Sequence, residues 1–218
     1  VLSILGASFV MGLSGAMMPG PMLAVNIEGS LRKGFWAGPV VVAGHVLLEL
    51  LVVGLLFVGL REILVNPWVS AAIGILGGAY LAWMGVGMIK SALRREISLD
   101  NSQTGENGKR SGTYLRLAGS GFLLSASNPY FLIWWATVGL TSLSLAQGLG
   151  FMGVAVFYTG HGMADLAWYS VVSAGIATGR RWLTDQVYRI IIALLGFCMA
   201  GFSVYFIISG AKGLIGLL

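Results

Sequence analysis

Long apolar runs separated by short polar or basic punctuation dominate the chain. A helix needs roughly 20 apolar residues to cross a bilayer. Six runs qualify, at about 2–28, 35–60, 68–90, 115–140, 147–177 and 187–211. The breaks between them carry recognisable signals. Arg32 and Lys33 lie in the first, Arg61 and Asn66-Pro67 in the second, and Arg180 and Arg181 in the last. The stretch from Arg94 to Gly112 is polar and rich in Gly, Ser and Asn, as loops are. The pattern predicts an all-α integral membrane protein with six transmembrane helices.

Composition sharpens this. The chain is 57% hydrophobic and 10% charged. Soluble domains carry about 25% charged residues, so a water-facing surface cannot be built from so few. The 33 glycines sit mostly inside apolar runs, where membrane helices use small residues to pack closely. The net charge of +5 does not mark a nucleic-acid binder. The basic residues lie between the apolar runs, with no basic stripe interleaved with exposed aromatics. The single cysteine, Cys198, lies in an apolar run and reads as a small core residue. The chain starts at Val1, so a residue or segment is expected to precede it. The first run is too long for a signal peptide and reads as a mature membrane helix.

Charge also gives an orientation. With six spans, one side holds Arg32, Lys33, Lys90, Arg94, Arg95, Lys109, Arg110, Arg116, Arg180, Arg181 and Arg189. The other holds Arg61 and Lys212. The positive-inside rule then places both termini outside and the 91–114 loop in the cytoplasm.

The two halves resemble each other. Pro19-Gly20-Pro21 interrupts the first run, and Asn128-Pro129 interrupts the fourth. The second run has Gly44-His45-x-x-x-Glu49, and the fifth has Gly160-His161-x-x-x-Asp165. Leu76-Gly77 and Leu195-Gly196 mark the third and sixth. Each half has an odd number of spans, so homologous halves sit in opposite orientations. This predicts two inverted-topology three-helix repeats, at 1–92 and 115–218, joined by a cytoplasmic linker at 93–114. Secondary transporters use this plan, with sites near the midplane at broken helices.

Four polar residues carry the candidate chemistry. Glu49 and Asp165 fall near the middle of their runs, where a carboxylate costs roughly 2.5–3.5 kcal/mol. The i,i+4 spacing places His45 on the face of Glu49 and His161 on that of Asp165. A buried carboxylate beside an imidazole can hold and release a proton, which a proton-coupled transporter needs. The alternative is a hydrogen-bonded clamp between helices. Pro19, Gly20, Pro21, Asn128 and Pro129 form a candidate substrate site at the helix breaks. Freed carbonyls there suit an amine, and half-helix N–H groups suit a carboxylate. A packing kink is the plainer reading. Asn26 and Glu28 read as residues solvated at the interface rather than lining a vestibule. Trp134, Trp135, Trp168, Tyr158 and Tyr169 read mostly as packing residues. Trp36, Trp68 and Trp182 read as interface anchors.

Together these motifs resemble the LysE/RhtB family of amino-acid exporters, also called LysE-type translocators. The resemblance covers essentially the whole chain. It rests on Pro19-Gly20-Pro21 with Gly34 and Gly44, on Gly78-Ala79-Tyr80-Leu81-Ala82-Trp83-Met84-Gly85, on Asn128-Pro129 and on Asp165. It implies a prokaryotic plasma-membrane exporter of a small amino acid or related zwitterion, driven by proton antiport and acting as a homodimer. No cofactor is expected. His45 and Glu49 depart from the family's usual second span. Two alternatives follow from the same four residues. A divalent-metal exporter would use His45, Glu49, His161 and Asp165 as ligands. An intramembrane enzyme would use a metal there to activate water.

Overall fold

The computed structural model describes residues 1–57, 66–98, 110–179 and 182–216, the side chains of 57, 110–113 and 145 excepted. Arg61, Lys109, Arg180 and Arg181, residues 99–109 of the 91–114 loop and the side chain of Arg110 therefore lie outside the described residues.

Every regular element among the described residues is helical. Helix α1 (Leu2–Ala16) stops at Met17, and α2 (Pro21–Lys33) restarts from Gly20, extended at φ −161°. Pro21 occupies the first helical position, where its missing N–H costs nothing. The chain break thus falls where the Pro-Gly-Pro motif predicts, and α2 runs past the expected end of the first span at 28. Gly34 ends α2 at φ +72°, a conformation that favours glycine. Arg32 and Lys33 lie in the last turn, where cations favour the helix dipole.

After a short 3₁₀ turn (Gly34–Trp36) comes α3 (Ala37–Phe57). Asn66 caps α4 (Pro67–Leu93), accepting from the Trp68 and Val69 N–H groups at 2.9 and 3.4 Å. Helix α5 (Arg110–Ala126) ends before Asn128, whose side chain accepts from Tyr130 N–H at 3.1 Å and starts α6 (Pro129–Trp134). A widened π turn (Trp135–Gly139) leads into α7 (Leu140–Gln147). Helix α8 (Gly150–Gly179) follows, then α9 (Asp185–Ile215), capped by Thr184.

Among the described residues, three stretches are long and apolar enough to cross a membrane: Pro21–Leu56, Pro67–Leu93 and Asp185–Ile215. The first is bent at Gly34 into α2 and α3, which pack on each other. Leu2–Ala16 is a shorter apolar helix. At 30 residues, α8 is about 45 Å long, and its buried face carries polar side chains.

The molecule is apolar on its outside as well as in its core, and charged side chains are buried within that core. On α3, Leu47, Leu50, Leu51 and Leu55 are exposed, while His45 and Glu49 are buried. Trp83, Phe197 and Tyr205 likewise face outward. An apolar exterior around buried charge suits lipid as solvent. Trp36, Trp68 and Trp182 are exposed near helix ends, as anchors would be. Cys198 corrects the sequence reading: it is exposed on α9, not in the core. An apolar run hides which face is inward when the solvent is apolar too.

The most extensive helix pairing is α4 with α9, followed by α1 with α8 and α3 with α5. Glycines set each approach. A Cβ on Gly85 would lie 2.7 Å from Gly196 O, and one on Gly210 2.8 Å from Ala71 O. A Cβ on Gly12 would lie 2.8 Å from His161 Nδ1. One on Gly44 would collide with Ala118 O, and one on Gly160 with Ser8 Oγ.

Candidate functional site

Helices α3 and α8 pack together and bring His45, Glu49, His161 and Asp165 into one buried cluster. None is more than 8% exposed. The expected pairing within each helix is only half of the arrangement. The shortest contact crosses between helices, with His161 Nε2 donating to Glu49 Oε1 at 2.7 Å. His161 lies 3.6 Å from Asp165 Oδ2 on its own helix. His45 Nε2 lies 3.3 Å from Glu49 Oε1 and 3.9 Å from Asp165 Oδ1. Both imidazoles therefore converge on Glu49, and Asp165 stands at the edge of the group. Helical spacing predicts neighbours on one face. It does not predict which facing helix comes closer.

Ser125 on α5 completes the surroundings of His45. Its hydroxyl donates to Gly121 O at 2.6 Å, so its oxygen is left to accept from His45 Nδ1 at 2.7 Å. Sequence reading missed Ser125. The available signal was its place three residues before Asn128, on the turn leading into the second helix break.

Aromatic rings enclose His161. Trp134, Trp135 and Phe157 have ring centroids 4.7, 5.4 and 6.2 Å from its own. Trp134 and Trp135 were expected chiefly to pack, and they also line the site. The π turn beginning at Trp135 re-aims this segment, and Gly139 leaves room for the Trp135 ring, which a Cβ would approach to 2.6 Å. Such turns often mark functional positions. Tyr158 donates to Val46 O at 2.7 Å, bridging α8 and α3.

Several buried polar atoms have no hydrogen-bond partner: Glu49 Oε2, Asp165 Oδ2, His161 Nδ1 and the indole nitrogens of Trp134, Trp135 and Trp168. Buried polar groups are nearly always satisfied. All of these but Trp168 belong to residues around one space, where unpaired donors and acceptors call for water or a ligand. A cavity of about 50 Å³ borders the cluster, room for a few waters. Its wall includes all four cluster residues, Tyr169, and Gly20 and Asn128 from the two helix breaks. The breaks also meet each other, since a Cβ on Gly20 would lie 3.8 Å from Asn128 Nδ2. Pro19 is half-buried; Pro21 and Pro129 are buried at the start of their helices.

His45, Glu49 and Asp165 each offer a ligand atom, and these atoms lie within 4.8 Å of one another. A divalent cation could be held there by one imidazole and two carboxylates.

Asn26 corrects a second expectation. It is fully buried, not solvated at an interface. Its Nδ2 donates to Tyr169 O at 3.3 Å, and its Oδ1 accepts from Ser173 Oγ at 2.8 Å. Ser30 Oγ lies 2.9 Å from Ser173 Oγ and 2.6 Å from Asn26 O. Glu28 is half-buried and pairs with Arg32 at 2.7 Å, consistent with an interface position.

The protein-family model described as LysE type translocator matches residues 13–210. The chain is similar to the Bacillus subtilis protein YcgF, named for amino acid efflux, at 26% identity over 99% of this chain and 100% of that one. It is 28% identical to the threonine efflux protein of Escherichia coli K12, over 72% of this chain and 74% of that protein. It is 24% identical to the chemotactic transduction protein ChpE of Pseudomonas aeruginosa, over 92% and 96%. No solved structure matches.

Proposed function

This chain belongs to the LysE type translocator family, and from that premise we propose that it exports a small amino acid or related zwitterion across a bacterial plasma membrane by proton antiport through the His45–Glu49–His161–Asp165 cluster. The carrying observation is the convergence of two imidazoles on one buried carboxylate, with a second carboxylate beside them, on the wall of a cavity that also touches both helix breaks. Two of these relatives are named for efflux and one for chemotactic transduction, and none for an enzyme activity. That answers the intramembrane-enzyme alternative.

The hydrogen bonds support an exchangeable proton in this reading. Ser125 gives its proton to Gly121 O and accepts from His45 Nδ1. His45 Nε2 then faces Glu49 as imidazolium against carboxylate, or as imidazole against carboxylic acid. Either form holds one proton between them, and His161 can take part through the same Glu49 oxygen. A substrate ammonium competing for Glu49 Oε2 or Asp165 Oδ2 would displace that proton by like-charge repulsion. Binding of substrate and of proton then become alternatives, as antiport requires. The Gly20 and Asn128 breaks border the same cavity and would supply backbone groups for the substrate's other end.

The proposed frame is six spans in two inverted repeats, residues 1–92 and 115–218. Three spans are α3, α4 and α9; two are broken helices, α1–α2 and α5–α7; the last is α8. Equivalent close approaches support it. Gly160, before His161, receives α1 at Ser8; Gly44, before His45, receives α5 at Ala118. The sequence offset that relates the two breaks also relates Ser8 to Ala118. Charge asymmetry supports both termini outside and the 91–114 loop, which holds the 93–114 linker, in the cytoplasm.

Proteoliposomes loaded with single amino acids, threonine first, test the reading. An imposed pH gradient should drive efflux, and a protonophore should abolish it. A second reading, divalent-metal export, is favoured by the three ligand atoms within 4.8 Å. Tight binding of manganese or zinc by the purified protein, lost in His45→Ala, would select it.

A further inference from the structure

The buried stripe of α8 does not end at the cluster. His161, Asp165, Tyr169 and Ser173 follow one another at i,i+4 spacing, and all are buried. Tyr169 borders the same cavity as Asp165. From Asp165 to Ser173 the helix rises about 12 Å. That is close to half the roughly 30 Å hydrocarbon thickness. The stripe therefore leads from mid-membrane toward the end of the molecule marked by Arg32 and Lys33.

Across this stretch α8 faces α2 through hydrogen bonds. Asn26 bridges Tyr169 O and Ser173, and Ser30 reaches Ser173. The opposite exit differs. Applying the offsets that relate the two halves, the counterparts of Tyr169 and Ser173 are Val53 and Phe57, and those of Asn26 and Ser30 are Ala136 and Leu140. Val53 is buried in an apolar cluster with Trp134, Trp135, Leu143 and Phe157. One exit is thus closed by polar contacts and the other by hydrocarbon. A mere helix clamp would need no such continuity with the cavity. A hydrogen-bonded seal can exchange its partners for water when it opens, whereas an apolar seal keeps water out until it parts.

We propose that Asn26, Ser30 and Ser173 are the gate of the permeation path on the Arg32/Lys33 side, and that when α2 swings from α8 the Asp165–Tyr169–Ser173 stripe becomes the wetted wall along which a small polar solute reaches the cluster. The half-helix α2, freed at Gly20 and Gly34, is the moving element. The proposal rests on the transporter reading and adds to it the location and chemistry of one gate.

Thiol labelling tests it in membrane vesicles of both orientations. Cys198 is the chain's single cysteine, so Cys198→Ser supplies the background for Ser173→Cys and Val53→Cys. The probe is a charged, membrane-impermeant methanethiosulfonate. Because a minor open state reacts in proportion to its population, Ser173→Cys should react from the Arg32/Lys33 side at least about tenfold faster than Val53→Cys. Ser30→Ala in that background should speed the reaction further by loosening the seal. Should Ser173→Cys fail to insert, Ser30→Cys reads the same gate from the facing helix. No labelling at either position from either side, or labelling only from the opposite side, overturns the gate. The coupling mechanism is judged separately. Glu49→Gln that abolishes pH-driven flux leaves it standing even if labelling fails. Labelling with flux indifferent to Glu49→Gln removes the coupling and keeps the gate.

Discussion

The α4–α9 pair and the α3–α8 crossing solve the same problem, holding two helices together in lipid, by opposite means. Between α4 and α9, Gly74, Gly78, Gly85, Gly196 and Gly210 bring backbone against backbone, with carbonyls and side chains where a Cβ would stand. Dispersion and shape hold that interface, as small-residue packing does in membranes. Between α3 and α8, two imidazoles and two carboxylates occupy the contact, and several of their atoms lack partners. The first interface is closed and satisfied. The second is costly and left with unmet hydrogen-bonding capacity. Where a membrane protein tolerates that cost, the chemistry is expected.

Substitutions should separate the two regions. The largest effect belongs to the cluster. Glu49→Gln keeps shape and removes the shared acceptor, so pH-driven flux should fall at least about 100-fold, with the amount of folded protein unchanged on size-exclusion chromatography. Asp165→Asn, at the edge of the group, should lose less. The mirror result belongs to the glycine pair. Gly85→Ala would place a Cβ against the Gly196 carbonyl and destabilise the protein by about 1–3 kcal/mol. Thermal unfolding in detergent should show it, while surviving protein keeps its dependence on the pH gradient. Ser125→Ala should have a smaller effect, costing about 1 kcal/mol and shifting the pH profile of transport, because it removes only the partner of His45 Nδ1. Cys198→Ser, on the exposed face of α9, should change stability by less than about 0.5 kcal/mol and leave flux intact.

Much of this frame is legible in the sequence because each element announces itself locally. Pro-Gly-Pro and Asn-Pro stop and restart helices through missing N–H groups and side-chain caps, and the structure breaks at both. The four polar residues stand out because lipid makes them expensive. Other features depend on which helices meet. That His161 prefers Glu49 to its own Asp165 follows from the α3–α8 approach, which spacing along one helix does not contain. Asn26 looks solvated from its place near a basic turn, yet Ser173, far away in sequence, buries it. Cys198 looks internal because apolar neighbours mark the core in water but mark either face in lipid. The π turn at Trp135–Gly139 has no composition of its own and arises where the two indoles fit around His161.

The central claim, that substrate and proton compete for this cluster, is tested most directly by proton release. Purified protein in weakly buffered detergent receives a transported amino acid while a pH-sensitive dye reads the solution. The account predicts acidification that saturates with substrate and disappears in Glu49→Gln. Substrate binding with no proton release by the wild-type protein, or release unchanged in Glu49→Gln, would contradict it.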